Sequence, residues 1–285
     1  MKKVIQVECD GLEWLYVPNV TYCEYDEDLK RHLQLLVPYR PEWKRDENYP
    51  LVVFIPGSAW YKQEMYNSIP ALSRLAENGI VVAAVQYRES TIARYPAQVE
   101  DVERAVLYLV SKAEDFHIDT DRIFLAGNSS GGHIALMTVL RSANGIIDVK
   151  EFHVGLIKGV IGESAPTDIF MCSHSTIPEN MPKNFSPCKD LLGVSEIMED
   201  LETAKEASCK MYIDENTPLP PILLFHGAED CQVDVNQSRY LYDLLNGAGK
   251  TVDYYEIEGT GHGGAAFWSG KILDMISSFI YNIYG

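Results

Sequence analysis

The chain has 285 residues, a length at which α/β proteins often fold as one domain. Its hydrophobic fraction of 46% and charged fraction of 23% are typical of a globular domain, which excludes disorder for the bulk of the chain. The formal net charge of −17 repels phosphate backbones and anionic lipid heads, so we expect neither a nucleic acid nor a membrane as a partner.

Apolar runs mark the predicted strands. The first fifty residues hold only short β-like runs. Strands that are covered on both faces are apolar throughout rather than alternating. Six later runs have this property and predict core strands at 51–55, 80–85, 122–126, 156–161, 221–225 and 252–257.

Helical periodicity lies between these runs. Apolar residues recur at helical spacing over 69–78, 97–113, 132–140, 238–245 and 271–283. Alternating strands and helices predict a mostly parallel sheet with helices on both faces. The proline-containing, partly acidic segment 163–219 interrupts this rhythm, and a structureless insertion of that length would be unusual. We therefore predict one domain over 1–285 with a small cap or lid at 163–219.

Cysteine usage bears on metal binding and location. The six cysteines are scattered, without a C-x-x-C motif or metal-ligand spacing. This pattern favours reduced thiols, no metal site and a cytoplasmic protein. A secreted protein trimmed of its signal peptide would look the same. The sequence holds no apolar stretch of membrane-spanning length.

The strongest motif is G-x-S-x-G at 127–131, between a predicted strand and a predicted helix. Glycines permit a sharp turn that lifts the serine above the carboxyl edge of the sheet, next to helix amides that favour negative charge. Ser130 is the competing serine, but its register puts Asn128 where the first small residue should stand. We predict that Ser129 is the nucleophile.

A serine nucleophile needs a histidine base and a carboxylate that orients the base. In α/β proteins whose nucleophile lies in such a strand-turn-helix motif, the serine comes first in the chain, then the acid, then the histidine. His262 follows the final predicted strand in a glycine-rich loop and is the predicted base. Asp230 lies just past the strand 221–225 and is the predicted acid, in preference to its neighbours Glu229 and Asp234.

Acyl transfer also needs hydrogen-bond donors for an oxyanion. The predicted donors are the backbone amide of Ser130 and amides of the loop after the strand 51–55, where Ser58 and Ala59 are small. Aromatic side chains near the predicted mouth could stack on a sugar or a phenolic acyl group, or could simply pack. These predicted substrate contacts are Trp60, Phe267 and Trp268.

These segments resemble the α/β-hydrolase superfamily, in particular hormone-sensitive-lipase-like esterases and the group of bacterial acetylxylan and feruloyl esterases. The likeness runs from about residue 20 to residue 283. It is carried by YPAQVEDV (95–102), IDTDRI (118–123), NSSGGH (128–133), EAS (206–208), PP (220–221) and HG (226–227). By this resemblance Ser129, Asp230 and His262 match the catalytic triad. The oxyanion positions are matched by Ser58, Ala59 and Ser130.

Two departures from the family pattern stand out. Pro56-Gly57-Ser58-Ala59 replaces the frequent His-Gly-Gly-Gly, and Cys209 replaces a frequent proline. The resemblance implies an α/β-hydrolase fold and a serine esterase that acts without a cofactor on a small-molecule or oligosaccharide ester. The alternatives are an arylformamidase-type amide hydrolase and, from another class, a non-catalytic binding module.

Overall fold

One eight-stranded sheet organises the protein. The computed structural model describes residues 1–6, 12–39, 47–172 and 185–283. The strand order across the sheet is β1-β2-β4-β3-β5-β6-β7-β8, in which β1, β2 and β4 pair antiparallel and all other neighbours pair parallel. The strands are β1 Glu13–Glu24, β2 Lys30–Tyr39, β3 Tyr49–Ile55, β4 Val81–Val85, β5 Ile118–Asn128, β6 Ile157–Glu163, β7 Ile222–Gly227 and β8 Val252–Ile257.

The predicted core strands are present in the structure. β3, β4 and β7 are buried at every position, because helices cover both faces of the sheet centre. β8 is the exception, since it forms one edge of the sheet and remains partly exposed along its length. The mostly parallel sheet and its helices confirm the predicted α/β-hydrolase fold class.

The opposite edge differs from the sequence prediction. Instead of short β-like runs, a hairpin of β1 and β2 adds 12 and 10 residues to the sheet. β1 is exposed at many positions, and two register shifts interrupt its pairing with β2. Because an edge strand of this kind lacks a continuous apolar run, its sequence shows no clear strand signal.

The helices form a layer on each face. They are α1 Ile69–Glu77, α2 Ala97–Ser111, α3 Ser130–Ala143, α4 Ile169–Cys172, α5 Pro187–Leu192, α6 Leu201–Glu206, α7 Asn236–Gly247 and α8 Gly270–Asn282. Side chains of α1 and α8 pack in one apolar cluster, and those of α2, α3 and α7 pack in the cluster on the other face. The sheet thus lies between two helical layers, with its parallel strands ending at a common edge.

In its described residues, the predicted cap segment contains only short elements. Between β6 and β7 the structure has α4, α5, α6 and two 3₁₀ helices, Ile197–Glu199 and Cys209–Tyr212. Residues 173–184 of this segment lie outside the described residues. The division into one domain with a cap at 163–219 stays a prediction.

Further predictions concern cysteines, metal sites and membrane spans. The cysteines in the described ranges are free, and Cys9 lies outside them. Those ranges hold no cluster of three or more His, Cys, Asp or Glu side chains suited to a metal ion. Within the same ranges, none of the helices combines the length and apolar character needed to cross a bilayer.

Candidate active site

Ser129 occupies the sharp turn between β5 and α3. Its backbone angles are φ 53° and ψ −128°, a conformation that non-glycine residues rarely adopt. Its amide donates to the carbonyl of Glu163 on the neighbouring strand at 2.7 Å. A Cβ on Gly131 would lie 1.9 Å from the carbonyl oxygen of Ile55, so only glycine lets the helix start so close to β3. These contacts hold the Ser129 side chain at the carboxyl edge of the sheet.

The three residues predicted as nucleophile, base and acid lie in one hydrogen-bonded chain. Nε2 of His262 lies 2.9 Å from Oγ of Ser129, and Nδ1 of His262 lies 2.7 Å from Oδ2 of Asp230. A carboxylate only accepts hydrogen bonds, so Nδ1 carries the proton and Nε2 accepts from the serine hydroxyl. This is the arrangement in which an imidazole can take a proton from a serine.

The environment of Asp230 keeps its carboxyl ionised. Burial alone would raise the pKa of Asp230, but hydrogen bonds from His226, His262 and the backbone of Val233 outweigh burial and hold it below its ordinary value. The two alternative acids are placed differently. Glu229 is exposed, and the carboxylate of Asp234 accepts from the amide of Asn236 at 2.8 Å.

The loop after β3 approaches Ser129 closely. The amide of Gly57 donates to Oδ1 of Asn128 at 2.9 Å, and a Cβ on Gly57 would lie 2.5 Å from the Asn128 carbonyl oxygen. The amide of Ser58, a predicted oxyanion donor, instead donates to Oγ of Ser130 at 2.9 Å. Among the described residues, the amides of Ala59 and Ser130 have no acceptor. Two of the three predicted oxyanion donors, the amides of Ala59 and Ser130, are therefore free to donate.

A buried hydroxyl cluster fixes this loop. The Ser58 hydroxyl donates to the carbonyl of Tyr61 at 2.6 Å, and its Oγ lies 2.9 Å from the Tyr87 hydroxyl oxygen. The Tyr87 hydroxyl donates to the carbonyl of Pro56 at 3.0 Å. Burial raises the pKa of Tyr87 to about 12, so its hydroxyl keeps its proton. Nothing in the sequence pattern singled out Tyr87, because it lies outside the motif and acts through a contact distant in the chain.

The predicted aromatic substrate contacts are mostly in the core. Trp60 is 2% exposed and donates through Nε1 to Nδ1 of His133 at 3.2 Å. Phe267 is fully buried, and the ring of Trp268 lies 5.9 Å from that of Phe54. Only Trp268 is partly exposed. Trp60 and Phe267 therefore lie in the core, where they offer no surface to a substrate.

His133 connects the helix of Ser129 to two other segments. Since its Nδ1 accepts from Trp60, its Nε2 carries the proton and donates to the carbonyl of Ala207 at 2.8 Å. Burial lowers the pKa of His133 to about 4, so the ring is neutral at physiological pH. His133 thus ties the loop after β3 and the end of the predicted cap to α3.

Glu163 is a buried acid beside the turn of Ser129, and its substitution has a predictable effect on stability. Burial raises its pKa from 4.5 to about 8. The folded protein therefore binds a proton that the unfolded chain releases as pH rises from about 4.5 to 8, and stability is lost across that window. Glu163→Gln removes this loss. We expect the variant to gain stability relative to wild type as pH rises, so that the difference between their free energies of unfolding favours the variant by about 3 to 5 kcal/mol more at pH 9 than at pH 5.

Urea unfolding at the two pH values measures this difference. The matched control is Glu202→Gln, since the Glu202 side chain is 82% exposed and stays solvated in both states. An advantage for Glu163→Gln of the same size at pH 5 and pH 9 would contradict the assigned burial effect.

Comparisons with known proteins agree with the fold. Esterase LipQ of Mycobacterium tuberculosis is 27% identical over 252 residues, which cover 86% of this chain and 58% of that protein. The probable isoprenylcysteine alpha-carbonyl methylesterase ICMEL1 of Oryza sativa subsp. japonica is 27% identical over 249 residues, or 84% of this chain and 55% of that protein. The chain thus spans less than two thirds of the length of these curated relatives.

A solved structure and a family profile complete the comparison. The structure described as a truncated form of a carbohydrate esterase from gut microbiota superposes with a TM-score of 0.77 at 24% identity, and the match covers 94% of this chain and 96% of the other. The BD-FAE profile matches residues 38–245, which is more than half of the chain. The chain therefore belongs to the BD-FAE family of hormone-sensitive-lipase-like α/β-hydrolases.

Proposed function

We propose that this protein is a serine esterase that hydrolyses short-chain acyl or feruloyl esters of carbohydrates through an acyl-enzyme. The observation that carries the proposal is the hydrogen-bonded chain from Ser129 through His262 to Asp230. The names of the relatives, esterases and a carbohydrate esterase, support ester hydrolysis and a carbohydrate substrate.

Acylation is the first half of the proposed reaction. Nε2 of His262 takes the proton of the Ser129 hydroxyl while Oγ forms a bond to the ester carbonyl carbon. The amides of Ala59 and Ser130 stabilise the resulting oxyanion, each by about 2.7 to 4 kcal/mol. The C–O bond to the alcohol then breaks, and His262 gives its proton to the leaving oxygen. The acyl group remains on Ser129.

Deacylation repeats these steps with water. His262 takes a proton from a water molecule, whose oxygen bonds to the acyl carbon, and the same two amides hold the second oxyanion. The bond to Oγ breaks, Ser129 regains its proton from His262, and the carboxylic acid leaves. His262 accepts and returns every proton, and Ser129 forms and breaks the bond to the acyl group, so the proposed reaction invokes no cofactor.

Trp268 is the aromatic residue that we propose as a substrate contact. It is partly exposed and follows the loop that carries His262. A sugar ring or a feruloyl ring packs well against an indole face, because both offer flat apolar surfaces. Ser58 is proposed to shape the loop rather than to bind the oxyanion, since its amide already has an acceptor.

Hydrolysis of a matched substrate panel tests this function. The panel contains acetyl, butyryl and feruloyl esters together with a formamide, N-formylkynurenine. We expect turnover of the acetyl or feruloyl ester, and covalent labelling by a fluorophosphonate that peptide mapping places on Ser129. Preferred cleavage of the formamide would favour an arylformamidase-type enzyme instead. Absence of both labelling and turnover would favour a non-catalytic binding module.

A further inference from the structure

A second imidazole contacts the carboxylate of Asp230. His226, in β7, is fully buried, and its Nε2 lies 3.2 Å from Oδ2 of Asp230 and 2.9 Å from the carbonyl oxygen of Val233. Its Nδ1 lies 2.7 Å from the hydroxyl oxygen of Ser238. The same Oδ2 atom also binds Nδ1 of His262 at 2.7 Å. The two imidazoles therefore share one carboxylate oxygen.

The neighbours of His226 determine which ring nitrogen carries the proton. A carbonyl and a carboxylate accept hydrogen bonds and cannot donate them. Because Nε2 of His226 faces one of each, Nε2 carries a proton and donates. Nδ1 can then accept the hydroxyl proton of Ser238. The Ser238 contact thus supports the tautomer in which His226 is a donor to Asp230.

The carboxylate of Asp230 has a donor in every direction. Its Oδ1 accepts from the amides of Gln232 at 2.9 Å and Val233 at 3.0 Å, and its Oδ2 accepts from His262 and shares the single Nε2–H of His226 with the carbonyl of Val233. Two oxygens with about four lone-pair sites are then fully used. The carboxyl plane cannot rotate without breaking at least one of these hydrogen bonds.

We infer that His226 is a positioning residue, which fixes the Asp230 carboxylate in the plane that His262 needs and is itself held by Ser238. The inference rests on the proposed function. His226 lies on the side of Asp230 away from Ser129 in the hydrogen-bonded chain, so it acts through Asp230 and touches no reacting atom. A small rotation of Asp230 would turn the His262 ring, and misplacement by about 1 Å can cost roughly 100-fold in rate.

Three variants test the role of the donor. His226→Leu removes it, His226→Gln keeps an amide N–H at the reach of Nε2, and Ser238→Ala removes the group that faces Nδ1. We expect kcat to fall roughly 10- to 100-fold in His226→Leu, with KM within about twofold of wild type, and to recover to within about fivefold of wild type in His226→Gln. Ser238→Ala should lie between the two.

Active-site titration with a fluorophosphonate normalises each rate to the folded, reactive fraction. A merely structural role for His226 would lower that fraction and the melting temperature, but would leave kcat per labelled site unchanged. That result, or an equal kcat loss in His226→Leu and His226→Gln with both proteins folded, would overturn the inference.

One measurement needs no substitution. Long-range ¹H–¹⁵N correlation spectra of the wild-type protein report the tautomer of each histidine, and we expect the His226 proton on Nε2. A neutral His226 with its proton on Nδ1 would overturn the inference even if the leucine variant does not fold.

Wild-type turnover, measured alongside that of Ser129→Ala, distinguishes failure of the proposed function from failure of the inference about His226. An inactive wild type contradicts the proposed function. An active wild type together with an undiminished kcat in His226→Leu contradicts only the role of His226.

Discussion

Ser129→Ala is expected to lower kcat for ester hydrolysis by about 10⁵- to 10⁶-fold and to abolish fluorophosphonate labelling. The hydroxyl lies 2.9 Å from Nε2 of His262, and no other oxygen nucleophile shares this contact among the described residues. The substitution removes one oxygen atom from a turn that is held by backbone contacts, so the fold should persist. Single-turnover hydrolysis of an activated ester measures the residual rate, and the melting temperature reports folding.

Ser130→Ala is the matched comparison, because Ser130 is the adjacent serine of the same motif. Its hydroxyl oxygen accepts from the Ser58 amide, so its loss should loosen the loop after β3 rather than remove the nucleophile. We expect a reduction of kcat of roughly 3- to 30-fold with labelling retained, since an imperfectly placed donor weakens oxyanion stabilisation. Full labelling of Ser129→Ala together with none of Ser130→Ala would instead make Ser130 the nucleophile.

Burial explains which parts of the fold could be predicted from the sequence. The centre of the sheet is covered on both faces, so β3 and β4 are uninterrupted apolar runs that stand out in the sequence. The β1–β2 hairpin has a weak sequence signal, because β1 is exposed at many positions and its pairing contains register shifts. Edge strands owe their conformation to a neighbouring strand that the local sequence does not specify.

In the site, too, the position of a residue in the chain could be predicted from the sequence, whereas its side-chain contacts could not. The strand-turn-helix context located Ser129, and the loops after the last two strands located Asp230 and His262. Hydrogen bonds between distant side chains leave no comparable signal. The engagement of the Ser58 amide by Ser130 and the burial of Trp60 depend on how loops pack in three dimensions. The His-Gly dipeptide four residues before Asp230 was a possible signal for His226, but its role required the ring contacts.

Asp230→Asn is expected to lower kcat by about 10⁴-fold while leaving the fold intact. The backbone amides of Gln232 and Val233 donate to Oδ1, so the carboxamide oxygen of the substituted side chain should occupy that position. Its NH₂ group then faces His262, where Oδ2 accepts a hydrogen bond in the wild type. The NH₂ group and the Nδ1–H group of His262 would then face each other as two donors. We therefore expect the ring proton of His262 to move to Nε2. An imidazole protonated at Nε2 cannot accept the proton of Ser129.

Glu229→Gln provides the control, since it makes the same chemical change one residue earlier in the chain. Glu229 is exposed, so we expect kcat of the Glu229→Gln variant to stay within about twofold of wild type. Steady-state kinetics on one acetyl ester, with melting temperatures for both variants, compares the two carboxylates. A loss in Glu229→Gln that equals or exceeds the loss in Asp230→Asn would assign the acid to the neighbouring position. If both variants kept nearly full kcat, His262 would not depend on an ionised carboxylate at this loop, and the proposed triad would be wrong in its third member.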